Sequence, residues 1–186
     1  MVVRNIYLTL LAGTSLGMVM GCSRSEMAAQ PAAETTEGSV AQADTMSLPL
    51  LGEAPGWKLA RLDGSIMNSD ELKGKIVVLD FWATWCPPCR AEIPDYVEMQ
   101  REMETDGVGF VGVSLDQAGP SVVKQFSERY EINYPLVMGD QEIMNAYGGI
   151  EAIPTTFLID RDGQIRHRKV GASTRADYEP LVRSLL

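Results

Sequence analysis

The chain has 186 residues, 45% of them hydrophobic and 22% charged, which is enough apolar material for a core without a disulfide scaffold. Its formal charge of −9 argues against a nucleic-acid binder, which needs a basic surface. Three cysteines (Cys22, Cys86, Cys89) and a single histidine, His167, are too few and wrongly spaced for a Cys/His zinc cage. They would leave a Cys–His or Ser–His–Asp hydrolase resting on one imidazole. No metal and no cofactor are expected.

Residues 1–21 carry one charge, Arg4, followed by an apolar run of 15 residues from Ile6 to Met20. That run is short for a membrane span, which needs about 20 residues, and reads as a secretory signal peptide. It ends in Val19-Met20-Gly21-Cys22, which resembles the lipobox of bacterial lipoproteins. The resemblance implies lipid attachment to Cys22, cleavage before it and anchoring to the bilayer; an ordinary signal peptide with an incidental cysteine is the alternative. With Arg4 removed, 15 basic against 25 acidic residues leave the mature chain at −10. The stretch 23–47 has no aromatic residue, Leu or Ile, so residues 22–47 read as a lipidated cysteine on a flexible tether.

From Leu48 to Leu186 the pattern is that of one folded domain. Gly56 to Leu62 alternates like a half-exposed strand and meets a hairpin turn at Asp63-Gly64. Asn68 to Leu72 has the form of a capped helical turn. Ile76 to Trp82 is an apolar run with one acid, the pattern of a strand buried on both faces. A helix is predicted from Pro87 to about Glu104, a second buried strand over Val108 to Leu115 and an amphipathic helix over Ser121 to Tyr130. A short strand (Pro135 to Met138) and a short helix (Gln141 to Tyr147) follow. Two strands, Thr155 to Asp160 and Gln164 to Val170, are joined at Arg161-Asp162-Gly163, and Thr174 to Leu186 closes as a helix. The fold class is α/β, a mixed sheet flanked by helices.

The chemistry concentrates in Trp82-Ala83-Thr84-Trp85-Cys86-Pro87-Pro88-Cys89-Arg90. Two cysteines two residues apart at a helix start are set up to form and break a disulfide. Unpaired N–H groups and the helix dipole stabilise an anion there, so the Cys86 thiol should ionise more easily than usual. Pro87 and Pro88 cost little in a first turn whose N–H groups have no helical partner. Cys86 is expected exposed, as nucleophile, and Cys89 shielded, as resolving thiol. A structural disulfide or half a metal site are the other readings; a loop this short makes a weak staple, and no second CxxC is present.

With these residues the chain resembles the thioredoxin superfamily, in its membrane-tethered TlpA/ResA-like branch. Val78 to Arg90 is similar to the family's active-site strand and helix, Pro94 to the proline that kinks that helix, Ala152 to Phe157 to its cis-proline loop, and Gly171 to another family glycine. Val111 to Tyr147 would hold the strand and helix that this branch inserts, and the N-terminal hairpin completes the fold. The resemblance implies a cis Ile153–Pro154 bond opposite the disulfide, with Ile153 offering its backbone to a client strand and Pro154, Pro87 and Trp85 lining the client site. It also implies that Asp80 accepts the proton of Cys89, and that Glu92, three residues after Cys89, lies near the disulfide. Asp80 sits in an apolar strand, so burial should raise its pKa; Glu92 could instead be a solvated surface charge. Trp82 is expected in the core, Trp85 partly exposed and His167 at the surface.

The expected protein is an extracytoplasmic, lipid-anchored, monomeric thiol–disulfide oxidoreductase on the periplasmic face of the cell envelope. Its expected partners are disulfide-bonded client proteins, a membrane thiol donor and the bilayer through Cys22; the resemblance makes cytochrome c maturation proteins candidate clients. Rival readings are a thiol peroxidase, a metal carrier and a non-catalytic client-binding module. The spacing Thr84-Trp85-Cys86 is one residue short of the T-x-x-C of related peroxidases, and metal-carrying relatives use C-x-x-x-C.

Overall fold

The computed structural model describes residues 48–186, so the expected signal peptide, Cys22 and the tether lie outside the described residues. The elements in chain order are β1 (Gly52–Glu53), β2 (Lys58–Ala60), β3 (Ile66–Asn68), a 3-10 turn (Ser69–Leu72), β4 (Ile76–Trp82), α1 (Pro87–Met103), a second 3-10 turn (Glu104–Asp106) and β5 (Val108–Ser114). They continue with α2 (Pro120–Arg129), β6 (Leu136–Met138), α3 (Gln141–Ala146), β7 (Thr155–Ile159), β8 (Gln164–Val170) and α4 (Arg175–Arg183).

Six strands form one sheet in the order β1-β8-β7-β4-β5-β6, and β2 and β3 pair as a separate hairpin. The β4–β5 and β5–β6 pairs are parallel, whereas β7 runs antiparallel to β4, and β8 antiparallel to β7. This is the thioredoxin-like arrangement, with β4 central. All seven β4 residues are buried, which is why Ile76 to Trp82 shows no polar alternation. Its alternate side chains serve two cores. Ile76, Val78 and Trp82 pack with Ile93, Tyr96 and Val97 of α1 and with Tyr178 and Val182 of α4. Val77, Leu79 and Phe81 pack on the other face with Trp57, Met67, Ile143 and Tyr147.

β1 was not expected from the sequence; two residues are too short to show a period, and only pairing with β8 makes them a strand. The hairpin turn and the capped turn stand where their residues place them: Ser65 N donates to Asp63 Oδ1 at 2.9 Å, and Asn68 forms a capping box with Glu71. Gly112, opposite Asp80 on β5, is required by packing, because a Cβ there would lie 2.5 Å from Leu136 Cδ2 and 2.8 Å from Trp82 Nε1. On this same face of the sheet, α4 is tied to α1 through Arg175, which pairs with Glu98 and Glu102 of α1 and with Glu179 of its own helix.

Candidate active site

β4 ends at Trp82, and Ala83, Thr84 and Trp85 carry the chain to Cys86, the N-cap of α1. Two contacts with Asp116 hold this turn: Thr84 N donates to Oδ2 at 2.9 Å, and Thr84 Oγ1 donates to Oδ1 at 2.5 Å. Ser114 Oγ donates to the same carboxylate at 2.8 Å. Nothing in the sequence pattern pointed to Asp116, because its partner lies 32 residues away.

Cys86 and Cys89 form a disulfide with S–S 2.08 Å and Cα–Cα 5.3 Å. Cys86 Sγ accepts from Cys89 N at 3.3 Å, which is the side-chain cap of the helix. It lies 3.7 Å from Ile153 O, and the Ile153–Pro154 bond is cis, as the resemblance implied. Gly171 N donates to Pro154 O at 2.8 Å, with Gly171 at φ 89°, so a glycine suits the strand exit that braces the loop. The exposure expected for Cys86 is not found: with its sulfur bonded to Cys89 and set against the Ile153 carbonyl, the residue is 3% exposed. The accessible surface at the disulfide is instead Trp85, which is 65% exposed, together with Pro87 and Pro88. Trp82 is buried, with its ring 5.4 Å from that of Phe126.

Two carboxyl groups are buried on the elements that flank the disulfide, Asp80 on β4 and Glu92 on α1. Asp80 is 6% exposed and accepts from Thr156 Oγ1 at 3.2 Å. Burial, then the nearby charge of Glu92, pushes its pKa well above the carboxylate range, against the pull of the Thr156 bond. Glu92 is 2% exposed, which excludes the solvated surface charge entertained above. Its Oε1 accepts from Ser173 N and from Tyr96 OH, the latter at 3.4 Å, while Oε2 is buried without a partner. Burial raises its pKa to about 7, opposed first by the Ser173 and Tyr96 bonds. Tyr96 was missed in the sequence, although its place four residues after Glu92 puts the two on one helix face. Thr156 and Ser173 gave no sequence signal as partners. His167 is half-buried rather than at the surface, its ring 6.1 Å from that of Tyr178. Among the described residues, no group of three His, Cys, Asp or Glu is placed to hold a metal ion.

The assembled site is a disulfide at a helix N-terminus, a cis-peptide loop set against it and two buried acids. Residues 51–168 match the AhpC/TSA family. The chain is 32% identical over 144 residues to the thiol-disulfide oxidoreductase ResA of Bacillus thuringiensis, covering 77% of this chain and 82% of that one. It is similar to the structure of a thioredoxin-family thiol:disulfide interchange protein from Chlorobium tepidum, with 37% identity, a TM-score of 0.67 and coverage of 72% and 95%. A second structure from Chlorobium tepidum, described as a putative thiol:disulfide interchange protein DsbE, matches at 28% identity and a TM-score of 0.66, covering 75% of this chain and all of that one.

Proposed function

This chain belongs to the AhpC/TSA family and is a thiol–disulfide oxidoreductase of the ResA and DsbE kind, and from that premise we propose that it reduces disulfides in client proteins outside the cytoplasm. The observation that carries the reading is the Cys86–Cys89 pair at the start of α1 with its sulfur against the cis Ile153–Pro154 loop. In the reduced protein the Cys86 thiolate, favoured by the helix N-terminus, attacks a client disulfide. One client sulfur leaves as thiolate and the other forms a mixed disulfide with Cys86. Cys89 then gives its proton to Asp80 or Glu92, and its sulfur attacks Cys86. The second client sulfur departs with its electron pair, and Cys86–Cys89 is left oxidised. Trp85, Pro87, Ile153 and Pro154 receive the client, with backbone pairing at Ile153.

Reduction is favoured over oxidation because Pro87 and Pro88 supply no imidazole between the cysteines to stabilise a thiolate. In an oxidising compartment the spent pair needs a thiol donor at the membrane. A lipid on Cys22 and the stretch 23–47 would keep the domain within reach of it, on the periplasmic face. Cytochrome c maturation proteins are the clients to test first, as the family resemblance implies. The peroxidase reading is weaker because the Thr84 hydroxyl donates to Asp116.

The test is dithiothreitol-driven reduction of a disulfide-bonded protein by the purified chain. Cys86→Ala should abolish turnover, and pre-reduced Cys89→Ala, mixed with the client once the dithiothreitol has been removed, should accumulate client joined to Cys86. Turnover surviving in Cys86→Ala, or peroxide consumed faster than disulfide, would overturn the proposal.

A further inference from the structure

Asp80 and Glu92 lie on different elements, yet a continuous chain of hydrogen-bonding groups joins them. Thr156 Oγ1 is 3.2 Å from Asp80 Oδ1, Tyr96 OH is 3.4 Å from Thr156 Oγ1, and Glu92 Oε1 is 3.4 Å from Tyr96 OH. All four side chains are buried, so water does not compete for these groups. The chain therefore has three gaps to fill.

The two hydroxyls bring one proton each. If both carboxyls are ionised, two protons serve three gaps, and one pair of oxygens faces lone pair to lone pair. If both are neutral, four protons serve three gaps, and the surplus must turn aside, as toward the unpartnered Glu92 Oε2. Only one neutral and one ionised carboxyl fill every gap once. Buried polar groups left unpaired cost about 1–3 kcal/mol each, so this count matters. Moving each of the three protons across its own gap, from one oxygen to the other, carries the negative charge from one end to the other without adding or removing a proton.

We infer that Tyr96 and Thr156 are positioning residues that join Asp80 and Glu92 into one unit sharing a single carboxyl proton, so that the charge receiving the Cys89 proton is available at either end. This rests on the reading of Asp80 and Glu92 as proton acceptors and deepens it. In the resolving step the thiol proton of Cys89 passes to the ionised carboxyl, its sulfur keeps the electron pair and bonds to Cys86, and the client thiolate leaves. The unit returns its extra proton to solvent afterwards. The elevated pKa values of both acids, and the part each plays in raising that of Tyr96, accord with such a unit. The other titratable groups facing it are Asp95 on α1, Lys169 on β8, Tyr178 on α4 and Tyr134 before β6; none of them is a link in the chain.

The experiment is a double-mutant cycle on the resolving rate, read by stopped flow as release of the second thiol from a small aromatic disulfide. Asp80→Asn, Glu92→Gln and the double variant are measured in the wild-type and Tyr96→Phe backgrounds. In the wild type, the loss in the double variant should fall short of the product of the single losses by at least about threefold. In Tyr96→Phe, and equally in Thr156→Val, the losses should multiply. Each ratio is taken within one background, so a general loss of stability from trimming a buried residue cancels. A 13C carboxyl titration by NMR on the oxidised protein gives a second reading: Asp80 and Glu92 should share two steps in the wild type and titrate separately in Tyr96→Phe. If the shortfall persists unchanged in Tyr96→Phe, the acids are coupled through space and the bridge is refuted. If the losses already multiply in the wild type, the bridge is refuted while the acceptor roles stand. If neither single variant slows the step, the acceptor reading falls, and this inference falls with it.

Discussion

Glu92→Gln replaces a carboxyl whose pKa burial has raised from 4.5 to about 7. Between those two values the folded protein keeps a proton that the unfolded chain has released. Stability conferred by the neutral form is therefore fully present below pH 4.5 and is lost as pH rises toward and through 7. At about 1.4 kcal/mol per decade, the loss reaches at most about 3 kcal/mol by pH 8. Glutamine has nearly the same shape and can still accept from Ser173 N, but it cannot ionise. Its amide takes the place of the unpartnered Oε2, at a cost similar to that of the unpaired hydroxyl of the neutral acid. The variant should therefore exceed the wild type by less than about 1 kcal/mol near pH 5 and by roughly 1–3 kcal/mol near pH 8, the difference growing with pH. His167 works in the opposite direction, because burial lowers its pKa and stability gains as it loses its proton. It is common to both proteins and cancels in the difference, whereas Asp80, whose pKa the Glu92 charge helps to raise, adds to the difference in the same direction once that charge is removed. The assay is urea unfolding of the oxidised protein at half-unit steps from about pH 5 to 8.5. A difference between the two proteins that stays flat with pH would refute the argument, because it would mean that Glu92 ionises normally in the fold.

Asp80→Asn should slow the resolving step more than Glu92→Gln while leaving the initial attack by Cys86 less changed, since general-base help is typically worth about 10²–10⁴-fold; stopped-flow kinetics separates the two phases. Gly112→Ala should destabilise the fold by about 1–3 kcal/mol, because its Cβ would meet Leu136 and Trp82, and the unfolding midpoint measures it. Cys22→Ser should release the protein from the membrane fraction and leave its reduction of soluble disulfides intact; an unmodified Cys22 in the mature wild type, read by mass spectrometry, would contradict the anchor.

Local chemistry made much of this protein legible in its sequence. The buried strand Ile76–Trp82, the helix opening at Pro87 and the hairpin at Asp63-Gly64 depend on side-chain period and turn residues within a few positions of one another. The Cys86/Cys89 spacing is local in the same sense, and so is the cap that Cys86 provides. A resemblance pointed to the cis bond at Pro154, whereas composition alone did not. What stayed hidden depends on long separations. Thr156 meets Asp80 across 76 residues, and Ser173 meets Glu92 across 81, because β7 pairs with β4 and α4 packs on α1. That packing turned Glu92 from a helix charge of ambiguous exposure into a buried acid, and burial is what moves its pKa. Asp116 likewise has no local mark, and it holds the turn before Cys86 only because β5 lies parallel to β4. Side-chain period and turn propensity act over a few residues of chain, so the sequence alone determined the elements and the dithiol. Desolvation and hydrogen bonding act over a few ångströms of space, and only the tertiary structure decided which acids are buried and which hydroxyls they meet.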